Sequence, residues 1–60
     1  MKKQHLEKHL KEQGCKLMRQ GKSHEIWVNP ENKCQTTIPR HKEIDNVLCK
    51  IICKQLGIIV

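Results

Sequence analysis

The chain has 60 residues, with 12 Lys or Arg against 6 Asp or Glu, four Cys, one Trp and neither Phe nor Tyr. A chain this short buries only about 60% of the surface that its unfolded form exposes, which excludes a cavity for a large cofactor. The formal charge of +6 fits a polyanionic partner, nucleic acid first and an acidic protein second.

One aromatic residue leaves base stacking on aromatic platforms almost nothing to use. The core has to come from Leu, Ile, Val and Met, with Cys filling smaller gaps. The opening MKKQHLEKHLKE has no apolar stretch, and no segment approaches the ~20 apolar residues of a membrane span, so a cytoplasmic protein with reduced thiols and no membrane contact is expected. Cys15, Cys34, Cys49 and Cys53 match neither a paired CxxC zinc knuckle nor a redox CxxC. Cys49 and Cys53 share a helix face that a histidine could complete into a zinc site, but buried structural thiols are the simpler reading. No metal and no small-molecule cofactor is expected.

Taken in order, Lys3 to Gln13 is polar apart from Leu6 and Leu10, the narrow apolar stripe of a short helix, and Gly14 supplies its stop. Cys15 to Gln20 follows as a short strand with Cys15 and Leu17 on one face. Gly21 opens a polar turn, through its freedom to take a sharp or left-handed conformation. His24 to Val28 is the second strand, and alternation puts His24, Ile26 and Val28 on one face with Glu25 and Trp27 on the other. If Ile26 points into the core, His24 lies on the core side and reaches substrate only from the strand's open end or past a bulge.

Asn29 to Asn32 forms the next turn. Cys34, Thr36 and Ile38 then alternate along a third strand that stops at Pro39, which cannot donate to a ladder. Arg40, His41 and Lys42 make a basic connector. Asp45 is placed as an N-cap, with Ile44 and Cys49 suited to a hydrophobic staple, and Val47, Leu48, Ile51, Ile52 and Leu56 follow helical spacing to a stop at Gly57. Ile58, Ile59 and Val60 are expected to pack on the sheet or on a partner. The result is an α+β fold, α-β-β-β-α, over residues 1–60 as a single domain: a three-stranded antiparallel meander with both helices on one face. The double-stranded-RNA-binding domain shares that arrangement and reads duplex shape and phosphates rather than stacked bases.

The residues GKSHEIW, a short Asn-Pro turn, TTIPRHKEI and a closing helix ending in KQLGI resemble the HicA toxin family of bacterial toxin–antitoxin systems, from about Gly14 to Ile58. The resemblance implies a ribosome-independent mRNA interferase, an endoribonuclease acting on mRNA, with one essential histidine and a HicB antitoxin that covers it. The matching histidine is His24. Two departures stand out: Cys15 occupies a position where the family usually has an aromatic, which should loosen the core, and Lys22 precedes the Ser-His pair where many members have Gly.

RNA cleavage without a metal needs a base for the 2′-hydroxyl, an acid for the leaving 5′-oxygen and cations for the phosphate. His24 is assigned as the principal acid/base, Lys22 and Arg40 as phosphate-holding cations, and Ser23 as the group that orients imidazole or phosphate. His41 reads first as a loop histidine and second as a further acid/base, because nothing in the sequence brings it near His24. The competing reading is a basic module that binds RNA or an antitoxin and cleaves nothing.

Overall fold

The computed structural model describes residues 1–59. The order is α1 (Lys3–Glu12), β1 (Lys16–Gln20), β2 (His24–Asn29), β3 (Cys34–Pro39) and α2 (Asn46–Leu56), as the pattern of apolar residues predicts. In α1, Leu6 and Leu10 are the buried residues, one turn apart and therefore one above the other on the same face. Gly14 ends the helix at φ 89°. Its amide bonds Lys11 O at 3.0 Å while the Cys15 amide bonds Leu10 O at 2.9 Å, the paired reversal that satisfies the last carbonyls of a helix. The chain thereby turns straight into β1, and Cys15 enters the core.

The sheet runs in the order β1-β2-β3 with both pairings antiparallel. β2 and β3 pair without interruption from His24 opposite Pro39 to Asn29 opposite Cys34. The β1–β2 register shifts between Leu17 and Arg19, a bulge that leaves one extra residue on the edge strand. All five residues of β1 are exposed, so Leu17 does not join Cys15 in the core.

Of the two orientations that alternation leaves open, the central strand takes the one with Trp27 inward and Ile26 outward. Glu25, Trp27 and Asn29 are buried, Ile26 and Val28 are half-buried, and His24 is exposed. Size explains the choice: Trp27, 2% exposed, is the one aromatic side chain available to fill a small core, and an indole buries more area than Ile or Val. Once Trp27 points in, the period of two carries Glu25 in and His24 out. The core is therefore Leu, Ile and Cys around an indole, from Leu6, Leu10, Cys15, Trp27, Ile38, Ile44, Cys49, Ile52, Cys53 and Leu56; among the described residues neither methionine is in it, nor Val28 or Val47.

A second correction concerns α2. Asp45 caps it as expected, its carboxylate accepting from Val47 N at 2.9 Å, and Ile44 and Cys49 are both buried. The buried stripe, however, is Cys49, Ile52, Cys53 and Leu56, whereas Val47 and Ile51 are 63% and 46% exposed. Spacing of three, one and three lines up those four residues on one face. The helix carries more apolar residues than one face holds, so the two thiols displace the two β-branched residues.

Gly57 closes α2 at φ 71°, with Gly57 N to Lys54 O at 3.1 Å and Ile58 N to Cys53 O at 3.0 Å. The Leu56 carbonyl accepts from Asn29 Nδ2 at 2.9 Å and Asn32 Nδ2 at 3.0 Å, which ties the β2–β3 turn to the helix end. Ile58 packs against the core while Ile59 is 81% exposed; Val60 lies outside the described residues. Burial holds Cys15, Cys49 and Cys53 above the ordinary thiol pKa, so they stay protonated and unreactive at neutral pH.

A methyl group on Gly57 would stand 2.5 Å from Asn32 Nδ2, in addition to the left-handed backbone's cost of about 1–2 kcal/mol for a residue with a Cβ. Gly57→Ala should therefore lower the melting temperature by roughly 5–15 °C at the sensitivity of a domain this size. Thermal unfolding followed by circular dichroism measures it; an unchanged midpoint would show that the Asn32 clamp does not hold the helix end in solution.

Candidate functional site

The β1–β2 connection is a two-residue turn, Lys22 and Ser23, closed by Gly21 N bonding His24 O at 2.8 Å. Among the described glycines only Gly14 and Gly57 have positive φ, so Gly21 serves here through its lack of a side chain rather than by a left-handed backbone. A Cβ on it would lie 3.2 Å from the His24 carbonyl oxygen, tighter than ordinary contact. The turn thus brings the backbone up against the residue it presents.

His24, as the first residue of β2, projects from the sheet face that the helices leave open and is exposed. Ser23 Oγ lies 3.1 Å from His24 Nδ1. A hydroxyl can donate to Nδ1, which leaves the proton on Nε2, or accept from Nδ1–H, which leaves Nε2 as a lone-pair base. In the second arrangement Nε2 can take a proton, and the imidazolium so formed keeps Nδ1–H bonded to Ser23 while Nε2 gives the proton back.

Arg40 is locked to the same turn from the neighbouring strand. Its amide bonds Ser23 O at 3.0 Å, and its guanidinium Nη1 bonds Gly21 O at 3.0 Å. Pro39, just before it, pairs with His24. The fold therefore does what the sequence did not indicate: it sets the 39–41 segment beside the turn. Lys22, Ser23, His24 and Arg40 are gathered at one end of the sheet, all exposed. His41, also exposed, lines a separate cleft with Arg40 on the side of the α1 N-terminus; neither Lys22, Ser23 nor His24 lines it.

Beneath Arg40 sits Glu25, a residue to which alternation along β2 gave Trp27's face but no role. The Glu25 carboxylate, buried at 5% residue exposure, accepts from Lys3 Nζ at 2.9 Å, Trp27 Nε1 at 3.1 Å and Gln20 Nε2 at 3.5 Å, with Arg40 Nε 3.9 Å away. Lys3 also bonds Glu7 one turn along α1. Burial alone would push the Glu25 carboxyl up, but the Lys3 and Trp27 hydrogen bonds and the charges of Lys3 and Arg40 outweigh it and hold the group below the ordinary carboxylate range. Burial likewise disfavours the Lys3 ammonium, yet its bonds to Glu7 and Glu25 carry its pKa above the ordinary value. The signal available was the spacing Glu25-x-Trp27: a buried indole needs an acceptor for its N–H, and the acid two residues away shares its face.

Because the folded Glu25 pKa is depressed, its contribution to stability is complete above the unfolded carboxylate value of about 4.3 and is lost as pH falls through the lower folded value. Replacing it with Gln leaves Lys3 with one acid partner and should cost about 1–3 kcal/mol at neutral pH. Thermal unfolding as a function of pH tests this: the wild type should lose part of its lead over Glu25→Gln below about pH 4.3, whereas parallel curves would mean that the carboxylate is not a charged partner.

Among the described residues no group of three or more His, Cys, Asp or Glu side chains could hold a metal ion, and no helix is long and apolar enough to cross a membrane. Comparison with known families gives a match to the HicA toxin of bacterial toxin–antitoxin systems, over residues 4–58. No curated protein and no solved structure matches the chain. The matched span takes in nearly all of α1, every strand, the Lys22–His24 turn and α2, and the chain therefore belongs to the HicA family of bacterial toxin–antitoxin toxins.

Proposed function

We propose that the toxin is a metal-independent mRNA interferase, an endoribonuclease that uses His24 as its acid/base. The observation that carries this reading is the exposed imidazole held by Ser23 at Nδ1 in a turn to which Arg40 is bonded. The 2′-hydroxyl of RNA attacks the adjacent phosphorus as His24 Nε2 takes its proton, or His24 delivers a proton to the leaving 5′-oxygen. Charge gathers on the non-bridging phosphate oxygens, and the Lys22 ammonium and Arg40 guanidinium oppose it. Ser23 orients the ring, and His41 is the candidate for whichever proton transfer His24 does not perform. The α-β-β-β-α order of duplex-RNA-binding domains and the charge of +6 favour RNA as the substrate.

Membership of the family implies a HicB-type antitoxin. We place its contact over the 21–27 stretch, where it would bury His24 and offer acidic groups to Lys22 and Arg40. The rival reading, a basic module that binds RNA or antitoxin without cleaving, makes a different forecast for His24.

His24→Ala should reduce cleavage at least about 100-fold, the usual minimum for a positioned acid/base, with an unchanged melting curve, because an exposed strand-end imidazole buries little. Cleavage of a mixed transcript beside circular dichroism checks both parts; equal activity in the variant refutes the catalytic role, and an unfolded variant makes His24 structural.

Cleavage should also persist in EDTA, since neither the cysteine spacing nor the few carboxylates make a metal cage. The overturning result is complete loss in chelator with recovery on adding zinc or magnesium.

A further inference from the structure

The cleft on the α1 side of Arg40 is lined by neither Lys22, Ser23 nor His24, yet Arg40 belongs to both places. It has a volume of about 620 Å³, with Glu25 and Lys3 among its lining residues and Lys2, Arg40, His41 and Lys42 as exposed ones. Its two walls are joined by backbone hydrogen bonds, Lys3 N to Lys42 O and Ile44 N to Met1 O, both at 2.8 Å, with Lys2 bridged to Glu43 between them. The cleft is thus built on fixed backbone rather than on loose loop.

Its charges divide into two groups. Lys3 is engaged by Glu7 and Glu25, and Arg40 Nε lies 3.9 Å from Glu25. Lys2 and Lys42 have no acidic side chain within ion-pair distance among the described residues, while Glu43 lies 3.7 Å from the Met1 ammonium. The lining contains no apolar residue. A protein partner would find no pocket for the aromatic or aliphatic anchor that dominates protein interfaces, whereas lysine ammoniums on flexible stems suit phosphate oxygens.

We propose that this cleft holds the phosphate backbone of the RNA strand next to the stretch at His24, with Lys2 and Lys42 as phosphate-binding cations and Arg40 joining the two sites. The inference rests on the RNA-cleaving reading of His24 and deepens it: the strand passes from the Lys22–His24 turn across Arg40 into the cleft. Substrate affinity then comes largely from residues remote from the reacting phosphate, and binding there acts on KM rather than on kcat.

The test is a double variant, Lys2→Gln with Lys42→Gln, compared with wild type in RNA binding across a salt series and in steady-state cleavage of an oligoribonucleotide. Each lost phosphate contact removes roughly 0.7–0.9 from the slope of log affinity against log salt, so the slope should shrink by about 1.4 to 1.8. KM should rise about tenfold with kcat unchanged. Lys2→Arg with Lys42→Arg should restore both, and all variants should melt with wild type, since the two side chains are exposed. An unchanged salt slope and KM overturn the proposal, as does loss of antitoxin binding with RNA binding intact, which would give the cleft to a protein. If the wild type cleaves no RNA but the slope still falls in the double variant, the cleavage reading fails and the cleft stands. Cleavage by wild type with no change of slope does the reverse.

Discussion

The buried carboxylate of Glu25 is the interaction on which the rest of this small protein depends. A charge 5% exposed in a domain with so little core is costly unless its oxygens are bonded and its charge is matched. Here Trp27 Nε1, Lys3 and Gln20 supply the hydrogen bonds and Arg40 adds a second cation. Each partner comes from a different part of the chain, so satisfying one carboxylate fixes the central strand, α1, the end of β1 and the connector after β3 relative to one another. The geometry of the site follows from that arrangement. With Glu25 and Trp27 turned in, His24 is turned out, and Arg40 lies over the turn that carries it.

A histidine at the end of a strand would ordinarily share the mobility of its hairpin. Three short bonds restrain this one: Gly21 N to His24 O, Arg40 N to Ser23 O and Arg40 Nη1 to Gly21 O. At the far end of the sheet, Asn29 and Asn32 perform a similar service by capping the last carbonyl of α2. The molecule compensates for its small apolar core by placing polar side chains where chain ends, turns and helix termini need partners, and among the described residues every buried side-chain nitrogen and oxygen has one. The toxin thereby presents an imidazole on a restrained surface turn without enclosing it in a deep pocket.

Much of this was legible in the residues. The order of elements follows from Leu6 and Leu10, the alternating Cys34, Thr36 and Ile38, and the cap and stop at Asp45 and Gly57, because each is a local rule obeyed locally. The resemblance carried by GKSHEIW, TTIPRHKEI and KQLGI pointed to the family. The faces of β2 and α2 were not legible, because alternation gives the period of a strand and not its phase. Phase is settled by which side chains fill the core best, and Trp27 outweighed Ile26 and Val28, just as Cys49 and Cys53 displaced Val47 and Ile51. The same undetermined phase hid Glu25, whose importance appears only when Trp27 is turned inward. The nearness of Arg40 to the turn was also invisible, since it arises from the β2–β3 register and not from sequence neighbourhood.

The claim at the centre of this account is that an exposed, serine-held imidazole drives RNA cleavage through the 2′-hydroxyl. The most direct measurement is of the ends left on a defined oligoribonucleotide, beside the same oligonucleotide carrying a 2′-deoxy sugar at the cleaved position. The account predicts a 2′,3′-cyclic phosphate and a 5′-hydroxyl from the first and no cleavage of the second; a 3′-hydroxyl with a 5′-phosphate, or cutting at the deoxy position, would contradict it.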